Sequence, residues 1–300
     1  MVERFDALLA ERVSVRSLAV VRILVGAVAT VHLWPLLRSA LAGDTDVDRF
    51  RHPYASWLPE LSPTPFTVLL AVGFVASIAM SVGLATRTSS ITTFGVVAYH
   101  LALSTTHMHN NRAYLVSVLA ILAMAPSGRA VSLDARRAER AGTPLDPTMA
   151  AWPLWLLRFQ CAVVYAASGF SKLIDPDWFG GAVTWGRVAA QEAMVRSSVL
   201  PSFLAGLVLD RNVHTFAAKF IVLTELFVAC GLWWRVTRRC AVAAAVVFHV
   251  MIGLTADVQV FSYLGLAVLF VWAPPTMWDR RWPMFQNRGM RESDIEGSMT

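Results

Sequence analysis

The sequence predicts an all-α fold, a polytopic integral membrane helix bundle with about eight transmembrane helices. The chain is 56% apolar and only 15% charged, whereas soluble domains are about 25% charged. Its mean hydropathy is +0.54. A bilayer crossing takes about 17–25 residues, and eight apolar runs reach or approach that length. They cover residues 17–37, 66–84, 90–104, 114–125, 152–173, 214–234, 240–254 and 258–272.

The two ends of the chain flank this bundle. Residues 1–16 mix charged and apolar side chains at helical spacing, which predicts an N-terminal interfacial helix on the membrane surface. Residues 17–275 form the predicted transmembrane domain, and residues 276–300 form a polar tail. The first apolar run is predicted to be a retained span rather than a signal peptide, because acidic residues precede it and Arg22 and His32 lie inside it.

The connections between runs differ in length. Tight connections join the second run to the third and the seventh to the eighth, which predicts two helical hairpins. The fourth run is short for a crossing, and it either begins inside the segment HNNRAYL or continues into the following loop. The long loop 174–213 contains Trp178, Trp185 and stretches predicted to form short amphipathic helices.

Basic residues set the predicted orientation and exclude one class of partner. Most arginines outside the apolar runs fall on the side of the N-terminus if the chain crosses eight times. This bias predicts a multi-pass protein of the cell membrane with both termini in the cytoplasm. The net charge of +6 comes mostly from arginines near span ends, and no basic stretch has interleaved aromatic residues, so no nucleic-acid partner is expected.

One lysine at the end of an apolar run is a candidate catalytic base. The chain has 26 basic residues, and only Lys172 and Lys219 are lysines. Desolvated lysine can be neutral near pH 7, whereas arginine stays charged. Lys172 is therefore either a titratable base in a dry pocket, a structural partner of Asp175 or Asp177, or a cation that reaches the membrane surface.

Two further polar residues lie within apolar runs. Glu225 is near the middle of a span, where a carboxylate must be protonated or paired, and its candidate partners are Lys219 and Arg22. Glu225 is thus either a polar clamp between helices or a proton-handling group. His249 is a lone histidine on an apolar face, which is typical of a hydrogen-bonded core histidine. Arg22 is expected to pair with an acid.

Metal, disulfide and nucleotide chemistry have little support. His107 and His109 lie in an H-x-H pattern one helical face from His100, but fewer than three well-placed ligands rarely form a metal site, so no metal is expected. The odd number of cysteines in apolar surroundings predicts buried thiols rather than disulfides. The sequence contains no P-loop, no G-x-G-x-x-G, no G-x-S-x-G and no H-E-x-x-H.

Four segments carry a resemblance to a known family. These are HNNRAYL at 109–115, SGRAVSLDARR at 127–137, VVYAASGFSKLIDPDWFGG at 163–181, and VVFHVMIGL with FSYLGL between 246 and 266. In order and spacing they resemble the membrane domain of vitamin K-dependent gamma-carboxylases and their bacterial relatives, the HTTM (horizontally transferred transmembrane) proteins. The resemblance covers most of residues 15–275.

The resemblance implies a function for the lysine and a pocket around it. In the carboxylases the lysine at the position of Lys172 is regarded as the base that deprotonates vitamin K hydroquinone. By this resemblance the cofactor is a reduced quinone, menaquinol or vitamin K-like, and the substrate is a peptide or protein. Lys172 is the predicted catalytic residue. The residues predicted to line an outward-facing pocket or support it are Asn110, Asn111, Arg112, Tyr114, Trp178, Glu225 and His249.

The chain also departs from the carboxylase pattern. Ser171 precedes Lys172 where the carboxylases have paired lysines, and Arg112 replaces a loop histidine. The large extracytoplasmic region of the carboxylases has no counterpart before Thr300, which weighs against glutamate carboxylation itself.

The function predicted first is a quinol-dependent membrane enzyme, a carboxylase-like or quinol-oxidising lyase. The alternative is a non-catalytic membrane accessory protein for maturation of, or tolerance to, a secreted peptide. A solute carrier is disfavoured because Pro35, Pro126 and Pro153 lie near span ends rather than at the membrane midplane.

Overall fold

Every predicted apolar run becomes a helix in the computed structural model, which describes residues 2–44, 53–54, 57–198, 201–255 and 260–273. The predicted polar tail 276–300 lies outside the described residues. The helices are α1 Val2–Ala10, α2 Arg16–Leu41, α3 Pro63–Val82, α4 Thr86–Ala102, α5 Asn110–Met124, α6 Leu133–Arg140, α7 Trp152–Ile174, α8 Pro176–Phe179, α9 Ala182–Ala189, α10 Glu192–Ser197, α11 Ser202–Leu209, α12 Arg211–Gly231, α13 Arg238–Thr255 and α14 Phe261–Val268. A 3-10 turn, Leu269–Trp272, continues α14.

The fold is helical, with one short ribbon that the sequence did not predict. The N-terminal helix ends at Ala10, and β1 Arg12–Ser14 pairs antiparallel with β2 Thr148–Ala150. Asp146 fixes the ribbon by accepting hydrogen bonds from the side chain of Arg12 and from the hydroxyl and N–H of Thr148, at 2.8 and 2.9 Å. The hydrogen bonds from Thr148 hold the pKa of Asp146 below its ordinary value.

The described helices identify a membrane protein. By length and composition α2, α3 and α12 could each cross a bilayer, while α5 and Phe261–Trp272 are shorter apolar helices. Large apolar side chains lie on the outer faces of these helices, as the stripe along α3 illustrates. That stripe consists of Val68, Val72, Val75, Ile78 and Val82, all of them exposed. A face of this kind is stable against lipid and costly in water.

The chain forms two compact units, which are described separately. The first unit comprises Met1–Leu157 and Ala267–Thr300, and the second comprises Arg158–Leu266. In the first unit α2 packs on α3, α3 on α4, and α4 on α5. Small residues let these helices approach closely: a Cβ atom on Gly26 would lie 2.6 Å from the hydroxyl of Ser81, and one on Gly73 would lie 2.6 Å from Val96.

The turn between α3 and α4 is built around a buried cation. Gly83 ends α3 at φ +72, and a Cβ atom there would collide with Arg22 and Ser132. The guanidinium of Arg22 is fully buried and donates a 2.6 Å hydrogen bond to the carbonyl oxygen of Val131. The expected acid is Asp134, whose charge acts on Arg22. Arg22 therefore joins α2 to the segment between α5 and α6.

Asp134 also caps α4. Its carboxylate accepts hydrogen bonds from the N–H of Ala85 at 2.9 Å and from the N–H and hydroxyl of Thr86, both at 2.7 Å. Partial burial raises the pKa of Asp134, but these hydrogen bonds outweigh burial, so the pKa lies below its ordinary value. The carboxylate also satisfies N–H groups at the positive end of the helix dipole.

In the second unit, short helices are fixed against the start of α12. The loop predicted to contain short helices forms α8, α9, α10 and α11. Gly181, at φ +82, lies so close to α12 that a Cβ atom would be 2.6 Å from the backbone nitrogen of Thr215. The hydroxyl of Thr215 donates to the carbonyl of Gly180 at 2.9 Å. The close backbone approach fixes the connection between α8 and α9 against α12.

Candidate functional site

One face of α7 carries the polar residues of the second unit. Tyr165, Ser168 and Lys172 are spaced at i, i+3 and i+7, which aligns them on a single helical face. On the other side of the helix Phe170 and Ile174 are exposed. The helix α12 reaches the polar face because Gly169 has no side chain; a Cβ atom there would lie 2.9 Å from Leu226.

Lys172 is paired with Glu225. Its Nζ atom lies 2.8 Å from each carboxylate oxygen of Glu225 and also contacts the hydroxyl oxygen of Ser168. The hydroxyl of Ser168 donates to Oε1 of Glu225 at 2.8 Å. The side chain of Lys172 is 16% exposed and that of Glu225 only 2%. The three side chains therefore form one hydrogen-bonded group joining α7 to α12.

The predicted partners of these two residues were wrong. The side chain of Asp175 instead caps α8 by accepting from the N–H groups of Asp177 and Trp178, at 2.9 and 3.2 Å. The Nζ atom of Lys219 lies 5.5 Å from the ring centroid of Phe179. Glu225 faces α7 because it shares the buried side of α12 with Ala218, Val222 and Val228.

The ring of Trp178 lies over Lys172. Its ring centroid lies 5.1 Å from the Nζ atom of Lys172 and 5.8 Å from the Cζ atom of Arg187. Both distances are within the range of cation–π attraction. Pro176 starts α8 immediately after α7 and turns the tryptophan back over the lysine.

His249 forms a second polar pair with a residue that the sequence reasoning missed. Its Nε2 atom lies 2.7 Å from the hydroxyl oxygen of Tyr165, and both side chains are buried. The Nδ1 atom has no hydrogen-bond partner among the described residues. The rings of Phe248 and Phe261 lie 5.6 and 5.3 Å from the imidazole, centroid to centroid. The predicted hydrogen-bonded core histidine therefore describes the Nε2 atom of His249 but not its Nδ1 atom.

The remaining predicted pocket residues belong to the first unit. Asn110 is exposed at the start of α5, whereas Asn111 and Tyr114 are buried three residues apart. The guanidinium of Arg112 donates to the carbonyl of His107 at 3.1 Å. Lys172, Trp178, Glu225 and His249 belong to the second unit, so the two halves of the predicted pocket are described separately.

Comparison with known proteins identifies the family. The family model for the HTTM domain matches residues 11–278. The chain belongs to the HTTM family. No match was found among characterised proteins or among solved structures. The predicted resemblance to the HTTM proteins is thus confirmed, and the family together with the apolar helices makes this a membrane protein.

Histidines of the HTTM chain also cluster in the first unit. The rings of His100 and His107 stack with centroids 4.6 Å apart, and the ring of His32 lies 6.4 Å from that of His100. Within the part of the chain that the structure describes, no group of three or more histidine, cysteine, aspartate or glutamate side chains could hold a metal ion. The Nδ1 atom of His107 instead lies 2.9 Å from the carbonyl oxygen of His100.

The cysteines of the HTTM chain are free thiols, as expected. Cys161 is buried, but Cys230 and Cys240 are exposed, so the prediction of buried thiols was wrong for two of them. The two lie on outer helix faces, where a thiol behaves as a small apolar group.

The spacing of Tyr165 from Lys172 in the sequence could have identified this tyrosine as a candidate site residue. Tyr165 precedes Lys172 by seven residues, or two helical turns, and therefore shares its face. A hydroxyl on the face of a buried lysine is a candidate hydrogen-bonding group, and Ser168 between them has the same property. Sequence spacing could have found both residues on α7, but it could not assign their partners on α12 and α13.

Proposed function

We propose that this HTTM protein is a membrane enzyme of quinol-type redox chemistry in which Lys172 is the general base. The observation that carries the proposal is the group formed by Lys172, Ser168 and Glu225 beneath Trp178. A partly buried lysine that contacts a carboxylate, a hydroxyl and an aromatic ring is suited to proton transfer at the end of an apolar helix.

The geometry gives Lys172 a route to the basic form. Its Nζ atom and the carboxylate of Glu225 are 2.8 Å apart, so one proton can move from the ammonium to the carboxylate. The transfer leaves a neutral amine and a neutral acid. The amine can then accept a proton from a substrate hydroxyl, while Ser168 stays bonded to Glu225 and keeps the two side chains aligned.

The residues of the second unit fit the head group of a reduced quinone, menaquinol or vitamin K-like. A reduced quinone supplies two hydroxyl protons and two electrons when it is bound. The ring of Trp178 offers a planar surface, and Lys172 offers a proton acceptor. The Nδ1 atom of His249 is buried without a partner among the described residues, which is the state expected of an atom that hydrogen-bonds a ligand.

The proposal includes a place for the protein in the cell. We assign it to the cell membrane as a multi-pass protein with about eight crossings and both termini in the cytoplasm, supported by the arginine bias along the chain. Residues 1–16 would lie at the membrane surface, and 276–300 would form a polar tail. Within the first unit, Asn110, Asn111, Arg112 and Tyr114 would line an outward-facing pocket for a peptide or protein substrate.

Lys172→Arg tests the chemistry. Arginine keeps the positive charge and a carboxylate partner but cannot become neutral. We expect the purified variant to retain its fold and any quinone found by mass spectrometry of extracted lipids, while oxidation of added quinol, with dioxygen as the two-electron acceptor, falls by about 100-fold or more. Lys219→Arg, the matched change at the other lysine, should keep full activity. Full activity in Lys172→Arg would overturn the assignment of the base.

A second function is favoured by the same ion pair. Two short contacts between an ammonium and a carboxylate also make an effective clamp between helices. In that case the protein is a non-catalytic membrane accessory for maturation of, or tolerance to, a secreted peptide. Lys172→Arg would then keep the full cellular phenotype, and the extracted lipids would contain no enriched quinone. The two measurements separate the two functions.

A further inference from the structure

Hydrogen bonds fix the short helix α6 at the turn where α3 ends and α4 begins. The N–H of Asp134 donates to the carbonyl of Gly83 at 3.0 Å, and its carboxylate binds the N–H groups of Ala85 and Thr86. Gly83 ends α3, and Thr86 begins α4. Because α3 is long and apolar enough to cross a bilayer, its end is expected at the boundary between hydrocarbon and headgroups, and these hydrogen bonds hold α6 beside that end.

The outer surface of α6 is basic. Arg136, Arg137 and Arg140 are exposed, and so is Arg87 in the first turn of α4. The acids of α6 are Asp134, which is occupied by the start of α4, and Glu139. Positive charge therefore dominates this surface. It is independent of the Lys172 site, which lies in the second unit.

Two apolar side chains are held outward beside the arginines. Val131 and Leu133 are 38% and 37% exposed. Val131 has φ +49, a conformation that is costly for a β-branched residue. Its carbonyl is held by Arg22 at 2.6 Å, and Ser132 caps α6 through the N–H of Ala135 at 2.9 Å. An exposed valine side chain contributes no stabilisation in water. Beside basic residues at a membrane surface, the same side chain can be buried among the lipids.

We propose that Val131, Leu133, Arg136, Arg137 and Arg140, here termed the α6 patch, bind the headgroups of anionic phospholipids. The phosphate of such a lipid matches the planar donors of arginine, and its acyl chains match the two apolar side chains. The positive charge of the patch and its position beside the end of α3 both favour this partner, because anionic lipids attract basic residues next to membrane spans. The assignment does not depend on any activity of the second unit.

The test uses the full-length protein in nanodiscs of phosphatidylcholine with and without phosphatidylglycerol. Native mass spectrometry counts each lipid retained after release from the disc. We expect wild type to retain phosphatidylglycerol preferentially, and Arg136→Gln/Arg140→Gln to reduce that preference by about 30-fold, since each arginine near an anionic surface contributes about 1 kcal/mol and about 1.4 kcal/mol is a tenfold change. These two arginines are one turn apart, and Arg137, which acts on Asp134, is left in place.

Three comparisons make the result decisive. Arg38→Gln/Arg196→Gln removes the same charge from exposed positions outside the patch and should keep the preference. Arg136→Lys/Arg140→Lys retains the positive charge and should keep most of the preference for phosphatidylglycerol. Raising the salt concentration should weaken binding of wild type by screening. An unchanged preference for phosphatidylglycerol in Arg136→Gln/Arg140→Gln would overturn the proposal. An equal loss of preference in Arg38→Gln/Arg196→Gln would also overturn it.

Discussion

The two units of this HTTM protein bury positive charge in different ways. In the first unit Arg22 is fully buried and donates to a backbone carbonyl, with Asp134 acting on it electrostatically. In the second unit Lys172 is 16% exposed and shares a hydrogen-bonded group with Glu225. Arginine stays charged wherever it is placed, whereas lysine can lose its proton. The first arrangement therefore fixes a turn, and the second, under the proposed function, would also exchange a proton.

The difference also appears in what surrounds each cation. Arg22 lies against Gly83 and the strained backbone at Val131, so a small change of position would disturb both. Lys172 lies against the face of Trp178 and the hydroxyl of Ser168, which can adjust to a neutral or charged amine. Rigid packing around one cation and adaptable contacts around the other are consistent with separate structural and chemical roles.

The largest expected effect comes from breaking the pair in the second unit. Glu225→Ala leaves the ammonium of Lys172 buried without its carboxylate, which typically costs about 3–5 kcal/mol. We expect the midpoint of unfolding in a titration of lipid micelles with sodium dodecyl sulfate to fall accordingly. In the first unit Arg22→Met leaves the carbonyl oxygen of Val131 without its guanidinium donor and should cost about 1–3 kcal/mol.

A double change checks the reason for that cost. Lys172→Met/Glu225→Leu removes both charges, so most of the stability should return while activity stays absent. Lys219→Met, a change at the exposed lysine over Phe179, should cost less than about 1 kcal/mol. A loss of stability in Lys219→Met equal to that in Glu225→Ala would show that the effect is not specific to the pair.

The second expected effect compares one closely packed glycine in each unit. Gly181→Ala places a Cβ atom 2.6 Å from the backbone of Thr215 and strains a residue at φ +82. We expect it to cost about 3 kcal/mol or more, because both the backbone conformation and the packing oppose it. Gly83→Ala should cost about as much in the first unit. Unfolding of each purified variant in detergent measures the effect.

Gly142 provides the matched control for these substitutions. It has φ +75, but a Cβ atom there would have no neighbour within 4 Å. Gly142→Ala therefore carries only the conformational cost, about 1–2 kcal/mol. A cost for Gly181→Ala no greater than that for Gly142→Ala would mean that the close approach of α9 to α12 does not contribute to stability.

Sequence reasoning predicted the helices more completely than their contacts. Apolar runs mark helices because each run is local, and the fourth run does begin inside HNNRAYL, at Asn110. The partner of Lys172 could not be found in this way, since Glu225 is 53 residues away and only the packing of α7 on α12 brings them together. The ribbon was missed for the same reason, because β1 and β2 are each three residues long and far apart in sequence.

The third expected effect concerns the second polar pair. Tyr165→Phe removes the hydrogen bond to Nε2 of His249 and leaves a buried imidazole without it. The loss should cost about 1–3 kcal/mol of unfolding free energy. Tyr99→Phe, at a tyrosine that donates to the exposed carbonyl of Pro59, should cost less. If His249 also binds a quinone, Tyr165→Phe should lower the amount of quinone extracted with the protein, whereas Tyr99→Phe should not.

The smallest expected effect is a pH dependence in the first unit. The pKa of Asp134 lies below its ordinary value in the folded protein, so the unfolded chain binds a proton more readily. Stability from this group is present above the ordinary aspartate pKa of about 3.9 and is lost as pH falls through the folded value. Because Asp134 is largely open to solvent, the contribution should be less than about 1 kcal/mol.

Unfolding measured between pH 3 and pH 6 checks this effect against the second unit. Asp134→Asn keeps one acceptor oxygen for the start of α4, replaces the other with an NH2 group, and has no proton to bind, so the loss of stability below pH 4 should become shallower. Asp177→Asn, an exposed aspartate near Lys172, should leave the slope unchanged. An identical slope in wild type and Asp134→Asn would mean that the cap of α4 works through hydrogen bonding alone, and that charge matters in the second unit but not at this turn.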